Sequence, residues 1–268
     1  MSRSGVVASS LRTLSHALSH ALISEQIARS RGLMQSLDPR VRVVGVVAVV
    51  IAVALLHKLM VVLAIFVGSV VLALASAVPL RTLALRVWLV VLAFTGVIAL
   101  PALFLTPGEP LSVASPLTRQ GLHATLMLIS RVEAAVTLTT LLVLTTPWSR
   151  ILKALRSLGI PKEAVMMLTM AHRYIFLLAE TATQMFEARE SRRVGVLRGP
   201  ERRKLVTQSA GVLMSKSIDL SHDVFLAMQS RGYRGDVHVL SEHRMTARDY
   251  VALAAFLALA VLAMWVGR

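Results

Sequence analysis

The sequence predicts an all-α integral membrane protein: about five transmembrane helices, with a large, basic, helical segment on the cytoplasmic side between the fourth and the fifth. Three observations lead there. Hydrophobic residues make up 56% of the 268 positions, and mean hydropathy is +0.70, more than a soluble domain of this length needs. Charged residues are only 16% of the chain, yet the formal net charge is +15. Those two values fit together if long stretches carry no charge and the basic residues crowd into the remainder. Apolar runs able to cover a hydrocarbon core of roughly 30 Å recur five times.

Residues 1–36 form an N-terminal extension. Leu11, Leu14, Leu18, Leu22 and Ile27 recur at helical spacing, which suits an interfacial helix. No long apolar core with a small-residue cleavage site marks a signal peptide there. Asp38-Pro39-Arg40 reads as an N-cap, an N1 proline and a basic flank. Residues 37–146 hold the first four spans. The first run is Val41 to Leu56, broken by Arg42 near its start. His57-Lys58 makes a minimal turn, and the second run is Leu59 to Val78. Pro79, Arg81 and Arg86 read as a basic connection. The third run is Val87 to Leu105, with Pro101 near its end. A loop rich in Pro, Gly and Ser covers 106–120, and Gly121 to Thr146 is the fourth run. Residues 246–268 hold the fifth.

The basic residues orient these spans. With the N-terminus inside, residues 1–40, the 79–86 connection and the 147–245 segment all face the cytoplasm, and only Lys58, Arg119 and Arg268 lie opposite. The reverse topology would export 16 basic residues from 147–245 alone. The excess of Lys and Arg is therefore an orientation signal first, and no nucleic-acid partner is expected.

Segment 147–245 is helical in pattern. Pro147 ends the fourth span and Trp148 suits the interface. Ser149 to Leu158 reads as a short amphipathic helix stopped by Gly159 and Pro161. Glu163 to about Arg193 carries a stripe of Val165, Leu168, His172, Ile175, Ala179, Ala182 and Phe186. Gly195, Gly199 and Pro200 break it. Glu201 to Arg231 carries Val206, Ala210, Leu213, Leu220, Val224 and Met228, and Gly232 and Gly235 end it. Each long helix has one apolar stripe and one polar face, so the pair can pack on each other, on the membrane surface or on partner proteins.

Several chemistries are excluded. The chain has no cysteine, which removes disulfides, zinc thiolate sites and thiol catalysis. No nucleophile–base pair or metal triad appears, and no G-x-x-x-x-G-K-[ST] phosphate loop, so the chain is not itself an ATPase. No cofactor is expected. His16 and His20 have i, i+4 spacing, but two imidazoles alone make an incomplete metal site. His172 on the apolar stripe reads as a hydrogen-bonded packing residue, and Arg234-Gly235-Asp236 as a turn. Arg131 and Glu133 lie inside the fourth span, where charges are functional candidates by default. From Arg131 to Thr145 is on the order of 21 Å of helix, so with Thr145 at the inner boundary Arg131 is within snorkelling reach of the outer surface, and helix packing or snorkelling accounts for the pair more readily than a substrate path. Two residues apart, the pair do not share a helix face.

The most informative pair is Ser191-Arg192-Arg193 and Ser230-Arg231-Gly232, each at the C-terminal end of a long helix. Arginine suits the negative end of the helix dipole and glycine suits C′, so both could simply stop their helices. Alternatively each arginine projects from a rigid tip into an acidic groove on a partner, where a guanidinium grips carboxylate bidentately. Ala227-Met228-Gln229-Ser230-Arg231-Gly232-Tyr233 resembles the Ala-Arg-Gly signature of the transmembrane T component of energy-coupling factor (ECF) transporters. Ala188-Arg189-Glu190-Ser191-Arg192-Arg193 resembles its first copy. Leu37-Asp38-Pro39-Arg40-Val41-Arg42 is similar to the family's lead-in to the first span. Thr145-Thr146-Pro147 through Leu155-Arg156-Ser157-Leu158-Gly159-Ile160-Pro161 is similar to its lead-in to the coupling segment. His172-Arg173-Tyr174-Ile175, with Glu180 and Met185, resembles the subgroup associated with cobalt and nickel uptake. In both tips Ser stands where the signature has Ala, and in the first Arg193 stands in place of Gly.

The resemblance implies a non-catalytic coupling subunit of the cell (inner) membrane. Its partners would be a pair of ABC-type ATPases, a substrate-binding S component in the membrane, and the lipid bilayer. Arg192 and Arg231 would carry the coupling to the ATPases, with Ser191, Ser230, Gly232 and Arg193 shaping the tips. A stand-alone secondary transporter, with Arg131 and Glu133 in its pathway, is the rival; it lacks clear inverted repeats and several intramembrane charges.

Overall fold

The computed structural model describes residues 32–105, 118–192, 199–235 and 245–267, and all the regular structure in them is helical. In chain order these are α1 (Leu33–Ser36), α2 (Pro39–Leu55), α3 (Leu59–Ala75), α4 (Leu80–Leu83), a π-helical turn (Ala84–Trp88), α5 (Leu89–Leu105), α6 (Arg119–Thr145), α7 (Trp148–Ser157), α8 (Lys162–Ser191), α9 (Gly199–Ser230) and α10 (Ala247–Gly267). Two compact units divide them. One takes in Ser24–Leu158 and His243–Arg268, the other Gly159–Glu242. The expectations for residues 1–31, for the 106–117 part of the loop and for Arg193 lie outside the described residues.

In the first unit α2 packs on α10 and α6, while α6 also packs on α3 and α5. By length and composition α6 and α10 are each able to cross a membrane; α3 and the Leu89–Pro101 stretch are shorter apolar helices. The 17 residues of α2 reach roughly 26 Å, at the lower end of what a bilayer needs.

Around a buried core that includes Met34, Val49, Leu56 and Leu141, the first unit also encloses polar groups and exposes large apolar ones. Arg42, Asp38, Asp249, Glu133, Thr137, Thr145 and Thr146 are buried, while Met60, Phe94, Val97, Val251 and Trp265 are exposed. Lipid tails are as apolar as leucine, so helices here gain from close contact rather than from leaving water. Small residues make that contact. A Cβ added to Gly45 on α2 would stand 2.7 Å from the Phe256 ring on α10, and one added to Gly267 would collide with the Leu56 side chain. Between α3 and α10 an apolar groove of about 930 Å³ is left open, with Gly68, Ala252 and Ala255 in its walls.

The helix boundaries follow local chemistry. Asp38 caps α2, its carboxylate accepting from Arg40 N at 2.8 Å, with Pro39 at N1. At the end of α3, Val78 N donates to Ala73 O and Ala77 N to Leu74 O, with Ala77 at φ +53. That is a left-handed stop made without the usual glycine.

One expected boundary is wrong. Pro79, Arg81 and Arg86 do not form a loop; a helix begins at Leu80 and runs through a π-helical turn into α5. Pro79 precedes its first residue, and the π turn accommodates an extra residue per turn. The Trp88 indole at its end donates to Thr137 Oγ1 on α6 at 3.0 Å.

Candidate functional site

The second unit is a helical hairpin, and its sequence explains its ends. Gly199 and Pro200 stand in the first turn of α9, where proline costs no hydrogen bond. Two contacts give the hairpin its sense. Arg189 near the end of α8 donates to Ser209 Oγ at 2.9 Å, and the Tyr233 hydroxyl, just past α9, donates to Met166 Sδ at 2.9 Å near the start of α8. The helices therefore run antiparallel, and their C-terminal ends lie at opposite ends of the pair. The 26-residue step from Met166 to Arg192 puts Arg192 on the order of 40 Å from the Arg231 end.

The second tip is a complete Schellman stop. Gly232 N donates to Gln229 O at 2.9 Å and Tyr233 N to Met228 O at 3.0 Å, with Gly232 at φ +82. The first tip repeats its serine bond: Ser191 Oγ donates to Ala188 O and Ser230 Oγ to Ala227 O, both at 3.0 Å. Ser191, Arg192, Ser230, Arg231 and Gly232 are all exposed. The serines thus turn their hydroxyls onto their own helices, and the arginine that follows each is exposed. His172 packs edge-on against Phe176, ring centroids 5.2 Å apart.

In the first unit the structure brings together a polar knot that the sequence reading did not single out. Arg42, 1% exposed, is its centre. Its Nη1 donates to Thr145 O at 2.8 Å and Thr146 Oγ1 at 3.1 Å. Its Nη2 donates to Gln35 O at 2.8 Å, and its Nε to Leu37 O at 2.9 Å. Asp249 works beside it: Oδ1 accepts from Asp38 N at 2.7 Å, and Oδ2 accepts from Thr246 N at 2.9 Å and Thr246 Oγ1 at 2.7 Å. Asp38 and Asp249 attract the Arg42 charge and Arg150 repels it, so two cations and two anions share the cluster. Asp38-Pro39 and an arginine interrupting an apolar run were the signals available; the sequence reading took the first as a helix start and the second as a break near the start of the first span.

Arg131 and Glu133 are not joined to each other. An Arg131 Nη2 donates to the Leu56 carbonyl at the C-terminal end of α2, while its Nε and both Glu133 carboxylate oxygens are buried without a partner. The His57-Lys58 turn closes the same end. His57 N donates to Gly267 O at 3.0 Å and Lys58 Nζ to Val266 O at 2.7 Å.

A bundle that encloses a polar knot and exposes many large apolar side chains, together with apolar helices long enough to cross a membrane, fits a helical membrane protein. A profile of the CbiQ family, described as cobalt transport protein, matches residues 31–244, and the chain belongs to that family. It is the T component type of ECF transporters, a non-catalytic transmembrane component. An uncharacterized protein of Methanocaldococcus jannaschii is 29% identical over 253 residues, 90% of this chain and 86% of its own length. The cobalt transport protein CbiQ of Rhodobacter capsulatus is 28% identical over 74% of this chain and 88% of its own. The energy-coupling factor transporter transmembrane protein EcfT of Thermosediminibacter oceani is 30% identical over 60% of this chain and 65% of its own.

Proposed function

We propose that this chain passes ATP-driven motion from a pair of ABC-type ATPases to a substrate-binding membrane subunit, for uptake of a cobalt or nickel ion across the cell membrane. The five spans in this reading are α2, α3, the continuous helix from Leu80 to Leu105, α6 and α10. The N-terminus and residues 147–245 face the cytoplasm, as the distribution of Lys and Arg favours.

The observation that carries the reading is the pair of exposed arginines, each behind the same serine bond, at opposite ends of one hairpin. Tips on the order of 40 Å apart can enter the two equivalent grooves of an ATPase dimer without competing. In this assignment Arg192 and Arg231 are the gripping groups and Ser191 and Ser230 hold their hydroxyls out of the way. Gly232 lets the second tip end sharply, and Arg193 adds a second charge at the first. The hairpin also exposes Met167, Ile175, Met214, Ile218, Phe225 and Leu226, apolar surface of the kind that partner proteins cover. The metal cargo rests on the name of the Rhodobacter relative and on the resemblance of His172-Arg173-Tyr174-Ile175 to the cobalt and nickel subgroup.

Coexpression with the neighbouring transporter genes tests this. The wild-type chain should copurify with an ATPase and support ATP-dependent cobalt uptake in proteoliposomes. Arg192→Glu with Arg231→Glu should abolish both, because each reverses a charge at a contact. Failure to capture an ATPase, or wild-type uptake by the double variant, refutes the coupling role. Uptake by this chain alone on an ion gradient would identify a secondary transporter instead.

A further inference from the structure

The knot around Arg42 has a position in the chain that its bonding alone does not explain. The chain passes from the first unit into the second after Leu158 and returns at His243; Thr145-Thr146 close α6 shortly before that exit, and Thr246 precedes α10 shortly after that return. Both junctions are bonded to the same turn of α2. The outgoing junction is held through Arg42, which takes the last carbonyl of α6 and the Thr146 hydroxyl. The returning junction is held through Asp249, which takes the Thr246 amide and hydroxyl with one oxygen and the Asp38 amide with the other. The short helix α7, directly after the outgoing junction, also packs on α2.

From this we infer that Arg42 and Asp249 are positioning residues for coupling: they fasten both ends of the cytoplasmic segment to the start of the first span, so that displacement of the segment moves α2 as a rigid piece. The inference rests on the coupling reading above. The chemistry suits the task. A guanidinium has five donors in a fixed plane, and here it serves carbonyls and a hydroxyl from two separate stretches of chain, 35–37 and 145–146, at once. A lysine ammonium keeps the charge but is a point donor on a flexible stem, so it cannot hold those stretches at fixed angles. Bundle stability alone would not require that both junctions share one turn. The outer ends of α2 and α10 are already tied by His57 and Lys58.

The test uses the complete transporter with its ATPases and membrane partner in proteoliposomes, reading cobalt ions taken up per ATP hydrolysed. Arg42→Lys and Asp249→Asn should each leave the complex assembled and ATP hydrolysis within about twofold of wild type, while uptake per ATP falls at least tenfold. Thr146→Val, which removes one acceptor of Arg42, should lower the same ratio by a smaller factor; it serves where the other variants fail to accumulate. An unchanged ratio in any assembled variant overturns the inference. So does a parallel loss of assembly, hydrolysis and uptake in all three, which is what a purely structural role gives. If the wild-type complex shows no ATP-dependent uptake, the coupling reading falls and takes this inference with it. A wild type that transports beside variants of unchanged ratio overturns the inference alone.

Discussion

Replacing Gly232 with alanine should loosen the second arginine tip without disturbing any packing. Gly232 sits at φ +82, and a Cβ added there meets nothing within 4 Å. The cost is therefore backbone strain alone, about 1–2 kcal/mol for an L-residue in left-handed conformation. At about 1.4 kcal/mol per factor of ten, the unwound tip becomes roughly 5 to 30 times more populated. Two bonds report it directly, from the amides of residues 232 and 233 to Gln229 and Met228. Native-state hydrogen exchange in nanodiscs should show both amides exchanging faster by that factor, with the middle of α9 unchanged. Gly232→Asn should recover most of the protection, since asparagine tolerates the left-handed region. Equal exchange in the alanine and wild-type chains, or equal losses in the alanine and asparagine variants, would refute the strain argument. ATPase capture should follow the same order if Arg231 depends on a fixed tip.

Three further outcomes are expected. The chain has no cysteine, so Gly45→Cys with Phe256→Cys should form an α2–α10 crosslink under mild oxidation, seen as a gel shift; no crosslink would mean that these helices do not meet at Gly45. Glu133→Gln should leave thermal stability in detergent unchanged or slightly raised, because the carboxylate oxygens it replaces have no partner; a loss above about 1 kcal/mol would point to a hidden partner. Ala77→Gly should raise the melting temperature by relieving strain worth about 1 kcal/mol at φ +53, and a fall would contradict the left-handed stop at the end of α3.

Much of the helix pattern was legible because its signals are local. The Asp38 cap, the Pro39 start, the Gly159 and Gly232 stops and the ends of both long helices fall within a few residues of where side-chain chemistry puts them. The start of the third apolar helix was not. Arg81 and Arg86 read as loop because charge usually marks the edge of a span, yet charged residues in the first turns of a helix still lie near that edge. The arginine tips were visible as a repeated motif, and their separation was not, since it depends on which way α9 runs back along α8. Arg42 was hidden for a different reason. Its acceptors are carbonyls and a hydroxyl up to 104 residues away, and backbone carbonyls carry no sequence signature. Read alone, an arginine near a membrane boundary looks like a break near the start of a span; only assembly shows it to be enclosed.

The bond from Asp38 to Asp249 joins residues 211 apart, and this has a consequence for how the protein is made. At the usual pace of translation, about 5–20 residues per second, the start of the first span waits about 10 to 40 s before the residue that completes its polar contacts leaves the ribosome. Until then the Asp38 amide lacks its carboxylate acceptor, and α2 lacks the neighbour that covers Gly45. Helix α10 therefore completes the first span, and a nascent chain stopped short of it would present an unfinished first span to membrane quality control.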